Sequence, residues 1–459
     1  MKKIQDREKQ IKTIETKKGK KAQIRKIKKQ AAAVAVCALI GSFTCGCSVS
    51  DSSVMKDGDV VGSIAAVEES GSVGGNTTVD VDTPQIFSKA LFAKSLEETN
   101  PVESPLSAYL AMALAGEGAK GDTAAEFDAV MGSDRRTMAE QFMKSFPAQT
   151  EGTKVALANS AWVDDRLICE EDWLKAAADN YLAQVYQKRL SKSETMGEIN
   201  AWVEQNTQGL IKNLLDQPLD DMTRLALFNT IYFKGEWQSA FESSSTTPKD
   251  FTLADGNKTQ VDMMRKTGKM SYVQADFSGN GAKKAGLCDG VALPYRDSEL
   301  LFVALRPTGG QSVRELYEHI SFGQLGEAVD AAQDAETQVN LWLPKFKVTF
   351  DRILNGDMMD MGFAKAFDPD RADFSGIGSA ESGDLYISLV RQKAVFIVDE
   401  EGTEAAAVTE IIMQTNSIAL EEEPKQVHFD EPFLYMIFDP ETDMPLFVGI
   451  MDDPSLAEN

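Results

Sequence analysis

Apolar residues recur with helical spacing at Ile86, Leu91, Phe92 and Leu96, which predicts a helix over Pro84–Glu98. Ser104 and Pro105 open a second helical pattern that runs to glycine over Ser104–Gly118. Further helices are predicted at Glu170–Tyr186 and Met196–Thr207, with the apolar run Val155–Val163 between these helical segments. Thr223–Trp237 is a long apolar run rich in β-branched and aromatic residues, and it predicts a buried central strand. Strand patterns then dominate: Val291–Tyr295, Leu301–Leu305, Gln338–Phe350, Leu385–Val390, Ala394–Val398, Phe433–Phe438 and Pro445–Ile450. Helices early and strands late predict an α+β fold. After Val398 the chain reads DEEGTEAAAVTE, and no new periodic element begins before Val427.

The chain has 459 residues, 43% of them hydrophobic, enough to bury a sizeable core. Its net charge of −24 is unevenly divided. Residues 1–46 hold thirteen Lys/Arg and three Asp/Glu, leaving 34 basic against 68 acidic residues in the remainder. So acidic a body repels nucleic acid and anionic lipid. The basic end reads as an export signal over residues 1–46. A lysine-rich segment precedes the thirteen-residue apolar run Ala31–Phe43, too short for a spanning helix, which needs about 20 residues. The following TCGCS (Thr44–Ser48) resembles a lipoprotein cleavage box with Cys47 as the lipidated residue; ordinary secretion and an uncleaved anchor are the alternatives. Residues 47–82, rich in Ser, Gly and Asp, read as a flexible tether, and residues 83–459 as one domain. Only Cys169 and Cys288 remain in that domain, too few for a disulfide framework.

Several kinds of chemistry are excluded. The two histidines, His319 and His428, leave no room for a metal cluster and little for a nucleophilic triad. Gly116–Gly121 matches a dinucleotide-binding glycine pattern by letter, but it follows a helical pattern rather than a strand, so it reads as a helix end and turn. No phosphate-binding loop is present. The sequence implies no enzyme and no cofactor.

The residues from about Thr83 to Pro454 resemble a serpin. The anchors come in that family's order: NPVESPLSAYLAMALAGEGAKGDTAAEF, INAWVEQNTQGLI, LFNTIYFKGEWQSAF, LPKF, ADFSGI, VDEEGTEAAA, EPFLYMIFD and LFVGIMDDP. The resemblance implies three β-sheets, about nine helices and an exposed reactive-centre loop at about 403–426. It also implies a suicide mechanism. A target serine protease attacks the loop and forms a covalent acyl complex; the cut loop then enters the large sheet and carries the protease with it. The implied hinge is Glu400, Glu401, Gly402, Thr403, Glu404, Ala405, Ala406, Ala407, Val408 and Thr409, with Gly402 as its pivot. Counting fourteen residues from Gly402, the scissile bond falls at Asn416–Ser417, with Thr415 and Met413 as alternatives. Glu400 and Lys345 are implied partners, Trp237 marks where insertion begins, and Ser104, Ser107, Asn229 and Gln392 match a polar cluster that controls sheet opening. Many members place histidine where this chain has Gln392.

The hinge can be checked against strand periodicity. Thr403, Ala405, Ala407, Thr409, Ile411 and Met413 form one uncharged face, while Glu404, Ala406, Val408, Glu410 and Ile412 form the other. The first face is expected to be buried and the second wet. Thr403–Pro424 contains no Lys, Arg or aromatic residue, which disfavours trypsin-like targets and favours elastase-like or subtilisin-like ones. The expected partner is a protease met by a monomer outside the cell, with membrane contact only through a lipid anchor. A non-inhibitory serpin, acting as a binding or carrier module, is the alternative.

Overall fold

The spacing around Leu91 and Phe92 forms helix α1 (Asp82–Ala93), and the next helix, α2 (Pro105–Gly116), begins where Ser104 and Pro105 predict. The Ser104 hydroxyl caps α2 by accepting from the Ser107 amide, and Pro105 takes a first-turn position where its missing N–H costs nothing. All twelve residues of α2 are buried, as expected for a helix apolar on every face. The computed structural model describes residues 82–145, 150–278, 286–380, 385–403 and 423–456. All belong to the unit Lys56–Asn459; the separate unit Met1–Met55 lies outside them.

Among the described residues there are nine α-helices and three sheets. The six-stranded sheet has the order β11 (Phe346–Ile353), β13 (Leu389–Val398), β5 (Leu225–Glu236), β2 (Thr153–Asp164) and β4 (Gln184–Lys188), with β14 (Gly402–Thr403) also pairing β5. The nine-stranded sheet runs β1 (Val102–Glu103), β17 (Met444–Met451), β16 (Phe433–Asp439), β9 (Leu301–Pro307), β8 (Leu287–Pro294), β7 (Lys258–Asp276), β10 (Thr337–Pro344) and β15 (Lys425–His428), with β6 (Thr247–Thr252) also on β7. A small sheet joins β3 (Leu167–Cys169) to β12 (Gly378–Ala380). The remaining helices are α3 (Gly121–Met131), α4 (Arg135–Ser145), α5 (Glu171–Tyr181), α6 (Ser193–Asn206), α7 (Val313–His319), α8 (Phe322–Asp334) and the short α9 (Asn355–Met358).

Helix α2 packs against both β5 and β17, so it touches both large sheets. Alternation along β5 divides two cores. Leu225, Leu227 and Phe233 join the cluster that contains α2, whereas Ala226 and Phe228 join Ile199, Trp202 and Val203 of α6 on the opposite face. The face of β5 turned away from α2 is therefore covered by α6 over its 226–228 end.

Several predicted elements have different limits. The helix predicted to Tyr186 stops at Tyr181, where Leu182 adopts a left-handed backbone (φ 47°) and the chain turns into β4 beside β2. The single strand predicted over Gln338–Phe350 breaks at Lys345: β10 stays in the nine-stranded sheet and β11 enters the six-stranded one. Conversely, the runs predicted at Leu385–Val390 and Ala394–Val398 meet in one strand, β13, which starts at Leu389. Strand β7 has no predicted counterpart, because polar residues fill its exposed face.

Strand β15 is held on both edges. It pairs in parallel with β10, Val339 to Trp342 against Lys425 to His428. On the other edge Arg306 donates to the carbonyls of Gln426 (2.9 Å) and His428 (3.0 Å), while its Nε donates to Asp289 (2.7 Å). Tyr272 also donates to Asp289, at 3.0 Å. Arg306→Gln removes the fork and leaves Asp289 with less compensation. The expected loss is about 2–3 kcal/mol by chemical denaturation, with faster amide exchange confined to residues 425–428.

Candidate functional site

The site begins with a break in the six-stranded sheet. Strands β11 and β13 pair from Phe346↔Val398 to Ile353↔Arg391. Strands β2 and β5 pair from Thr153↔Gly235 to Val163↔Leu225. Between these halves, among the described residues, β13 and β5 pair only at Leu389↔Ala226, Val390↔Leu227 and Arg391↔Phe228. Above that foot, Gln392–Val398 and Asn229–Lys234 face each other without a shared ladder. At the open end β14 has entered, placing Gly402 opposite Glu236 and Thr403 opposite Gly235 in antiparallel register.

At the foot of the gap, Gln392 on β13 bonds both sides of the Ser104 backbone. Its Oε1 accepts from the amide at 2.9 Å and its Nε2 donates to the carbonyl at 2.8 Å. From the next turn of α2, the Ser107 hydroxyl donates to Asn229 Oδ1 on β5. Asn229 Nδ2 donates to Asn159 Oδ1 (2.5 Å), and Asn159 Nδ2 donates to the Tyr181 carbonyl (3.0 Å). All five side chains are buried. Both strands flanking the gap are thus tied to the start of α2 where the gap closes. Asn159 was missed by sequence reasoning; its signal is a lone amide in an apolar strand, which strand periodicity alone does not read as functional.

Trp237 and Lys345 lie away from this cluster. Trp237 is eight residues beyond Asn229, about 25 Å along a strand. Its ring stacks on Tyr295 at 5.0 Å between centroids, and its Nε1 donates to the Asp399 carbonyl at 2.9 Å. Lys345 Nζ lies 2.7 Å from Glu400 Oε2, and the Thr246 hydroxyl donates to Glu400 Oε1 at 2.7 Å. The carbonyls of Glu400 and Glu401 accept from the Phe241 and Trp237 amides at 2.7 and 2.8 Å. Asp399 Oδ1 accepts from the Glu401 and Gly402 amides. Thr403 is 2% exposed, and its hydroxyl shares a 2.7 Å hydrogen bond with the Tyr295 hydroxyl.

The hinge is therefore anchored as far as Thr403, contrary to the appearance of its sequence. Gly402 is needed for close approach rather than for rotational freedom. A Cβ there would stand 2.0 Å from the Gly235 carbonyl oxygen, and its φ is not positive. Glu404, Ala405, Ala406, Ala407, Val408, Thr409, Met413, Thr415, Asn416, Ser417 and Cys47 lie outside the described residues.

Neighbouring acids at the hinge titrate in opposite directions. Burial acts to raise the Glu400 carboxyl, but hydrogen bonds from Lys345 and Thr246 outweigh it and hold the group below its usual range. Burial raises Asp399 despite two backbone donors. Burial pushes the Cys169 thiol up to about 11 and the Cys288 thiol up to about 12. Among the described residues no cluster of three metal-ligating side chains occurs.

Comparison with known proteins gives one family. The model of the family described as serpin (serine protease inhibitor) matches residues 84–454. A serine protease inhibitor of Cyanea capillata is 31% identical over 371 residues, covering 78% of this chain and 93% of that one. The thermophilic serpin tengpin in its native state superposes with a TM-score of 0.73 at 30% identity, covering 83% of this chain and 96% of that one. Its latent state gives 0.66 at the same identity, covering 82% and 98%.

Two outcomes are expected at this site. Gln392→Ala leaves the buried Ser104 amide without a partner and takes one of two donors from its carbonyl, which still accepts from the Ala108 amide at 3.2 Å; it should lower stability by about 1–3 kcal/mol in urea titration. For pH, a carboxyl held down in the folded state contributes stability above its unfolded pKa, near 4.5, and loses it as pH falls through the folded value. The thermal midpoint should therefore fall more steeply below about pH 4.5 in the unmodified protein than in Glu400→Gln.

Proposed function

The chain belongs to the serpin family and is a protease inhibitor rather than an enzyme, and from that premise we propose that it traps extracellular serine proteases irreversibly by inserting its cut loop between β13 and β5. The observation that carries this reading is the gap with β14 at its mouth.

Extending the β14 register predicts what insertion requires. Residues 404–409 would meet Lys234 down to Asn229, a length of about 20 Å that breaks no existing strand pair. Ala405 and Thr409 would stand beside Phe233 and Asn229, on the face turned toward α2, and Ala407 falls on that face too. Only small uncharged side chains suit that face. Beyond Thr409, each further residue must separate one of the three β13–β5 pairs. Glu410 would meet Phe228 and Ile412 would meet Ala226, on the side covered by α6. The apolar Ile412, out of place on a wet face, suits this covered one.

In the proposed sequence, the protease's serine oxygen attacks the carbonyl carbon of Asn416, with Thr415 and Met413 as alternative positions. The bond to Ser417 breaks, and the freed amine leaves with the C-terminal piece while the acyl ester stays on the protease. Insertion through residue 413 reaches Leu225, the start of β5, and adds backbone hydrogen bonds on both edges of the new strand. Their net contribution is on the order of 10 kcal/mol, at about 1 kcal/mol each. That energy deforms the attached protease before water can hydrolyse the ester. The absence of Lys, Arg and aromatic residues from Thr403–Pro424 supports elastase-like or subtilisin-like targets. The basic leader supports action outside the cell, secreted or held by lipid on Cys47.

An SDS-stable complex with an elastase-like or subtilisin-like protease is the expected product, and the released C-terminal peptide should begin at Ser417 by mass spectrometry. Thr403→Arg would force an unpaired cation into a site 2% exposed, beside Tyr295. This variant should be cleaved at least as fast as the unmodified protein, yet yield at least tenfold less covalent complex. Cleavage without complex from the unmodified chain across a panel of such proteases would overturn the proposal.

A further inference from the structure

The outer face of β6, β7, β10 and β15 holds a hollow of about 410 Å³, lined by Lys249, Asp250, Met263, Trp342, His428 and Asp430 among others. Trp342 lies between Arg265 and His428 in the strand register. Lys249 Nζ stands 4.7 Å from its ring centre and the Arg265 guanidinium 5.7 Å. The Trp342 indole Nε1 and His428 Nε2 have no hydrogen-bond partner, an unfavourable state for groups so little exposed unless an incoming group satisfies them. Burial lowers the His428 pKa, so the ring is neutral near pH 7 and either nitrogen can carry the hydrogen.

Both roots of the reactive loop border this face. Thr246, just before β6, bonds Glu400, and Lys345, just after β10, pairs with the same carboxylate. The chain returns from residues 404–422 directly into β15, which carries His428. Lys249, Arg265 and Lys269 are exposed on this face, beside the lining acids Asp250 and Asp430, on a body with twice as many acidic as basic residues. Of the acids lining the hollow, Asp250 is engaged by Lys258 and Gln260.

We propose that this hollow is a second contact for the protease that attacks the loop, and that it receives an acidic surface loop of that protease. The incoming carboxylate meets Lys249 and Arg265 and accepts the indole hydrogen of Trp342. A tryptophan flanked by cations supplies apolar area, a donor and charge together, the combination that concentrates binding energy at interfaces. The cations also steer encounter, so the contact acts on association rate. This inference rests on the inhibitory reading above, because it takes the partner to be the protease at the loop.

The test is binding without chemistry. The full chain is immobilised, and an elastase-like protease with its nucleophilic serine replaced by alanine is passed over it at several salt concentrations. The double variant Lys249→Glu/Arg265→Glu should bind about tenfold more weakly, mainly through a slower association rate with a flatter salt dependence. Trp342→Phe keeps the ring, loses the donor and should dissociate faster. Both substituted cations are exposed, so an unchanged thermal midpoint verifies the fold. Equal affinities for the unmodified and double-variant chains, or no measurable binding by the unmodified chain, would overturn the docking site. The alanine protease forms no acyl bond, so docking is read even where covalent trapping fails. Trapping that persists beside unchanged affinities leaves the inhibitory reading intact.

Discussion

Three residue pairs, Leu389↔Ala226, Val390↔Leu227 and Arg391↔Phe228, are the whole backbone ladder between the two halves of the six-stranded sheet among the described residues. A sheet normally pairs its strands throughout, since unpaired buried backbone groups are costly. Here Asn229–Lys234 and Gln392–Val398 are held apart, and the fold bears that cost. Both strands are attached to α2 at the foot of the opening: Gln392 on β13 bonds Ser104, and Asn229 on β5 accepts from Ser107. Helix α2 can serve this way because it is buried on all sides, capped at Ser104 and in contact with both large sheets. Those few pairs and bonds lie where the proposed trap would have to open the sheet further.

The hinge works against the same background. Its first part is a firm anchorage, with the carbonyls of Asp399, Glu400 and Glu401 all accepting hydrogen bonds around Trp237 and Phe241. Glu400 is clamped by Lys345 and Thr246, so the loop leaves the body from a fixed point beside the gap. The register of Gly402 and Thr403 on β5 sets the direction of the proposed entry. Because burial raises Asp399 while Lys345 and Thr246 hold Glu400 down, acid protonates Asp399 first, and the clamp on Glu400 is lost only as pH falls through the lower Glu400 value.

Much of this was legible in the sequence. The cap at Ser104, the buried strand ending near Trp237 and the uncharged alternate residues after Gly402 are local patterns with a direct physical meaning. Other features depend on tertiary placement. In Gln338–Phe350 the turn from one sheet into another is marked only by a phase shift, from apolar Val339, Leu341 and Leu343 to Phe346, Val348 and Phe350 across Pro344 and Lys345. Strand β7 carries too many polar residues on its exposed face to read as a strand. Asn159 and Tyr295 look like ordinary strand residues until the fold brings one to Asn229 and the other to Thr403. The requirement for glycine at 402 is likewise invisible without the Gly235 carbonyl beside it.

The central claim is that the loop fills the gap once it is cut, and it is tested most directly by heat. The thermal midpoint of the intact protein is compared with that of protein cleaved once within residues 404–422. Insertion predicts a large rise, on the order of tens of degrees, because a full strand joins the middle of the sheet. An unchanged or lowered midpoint after a single verified cut would contradict the account.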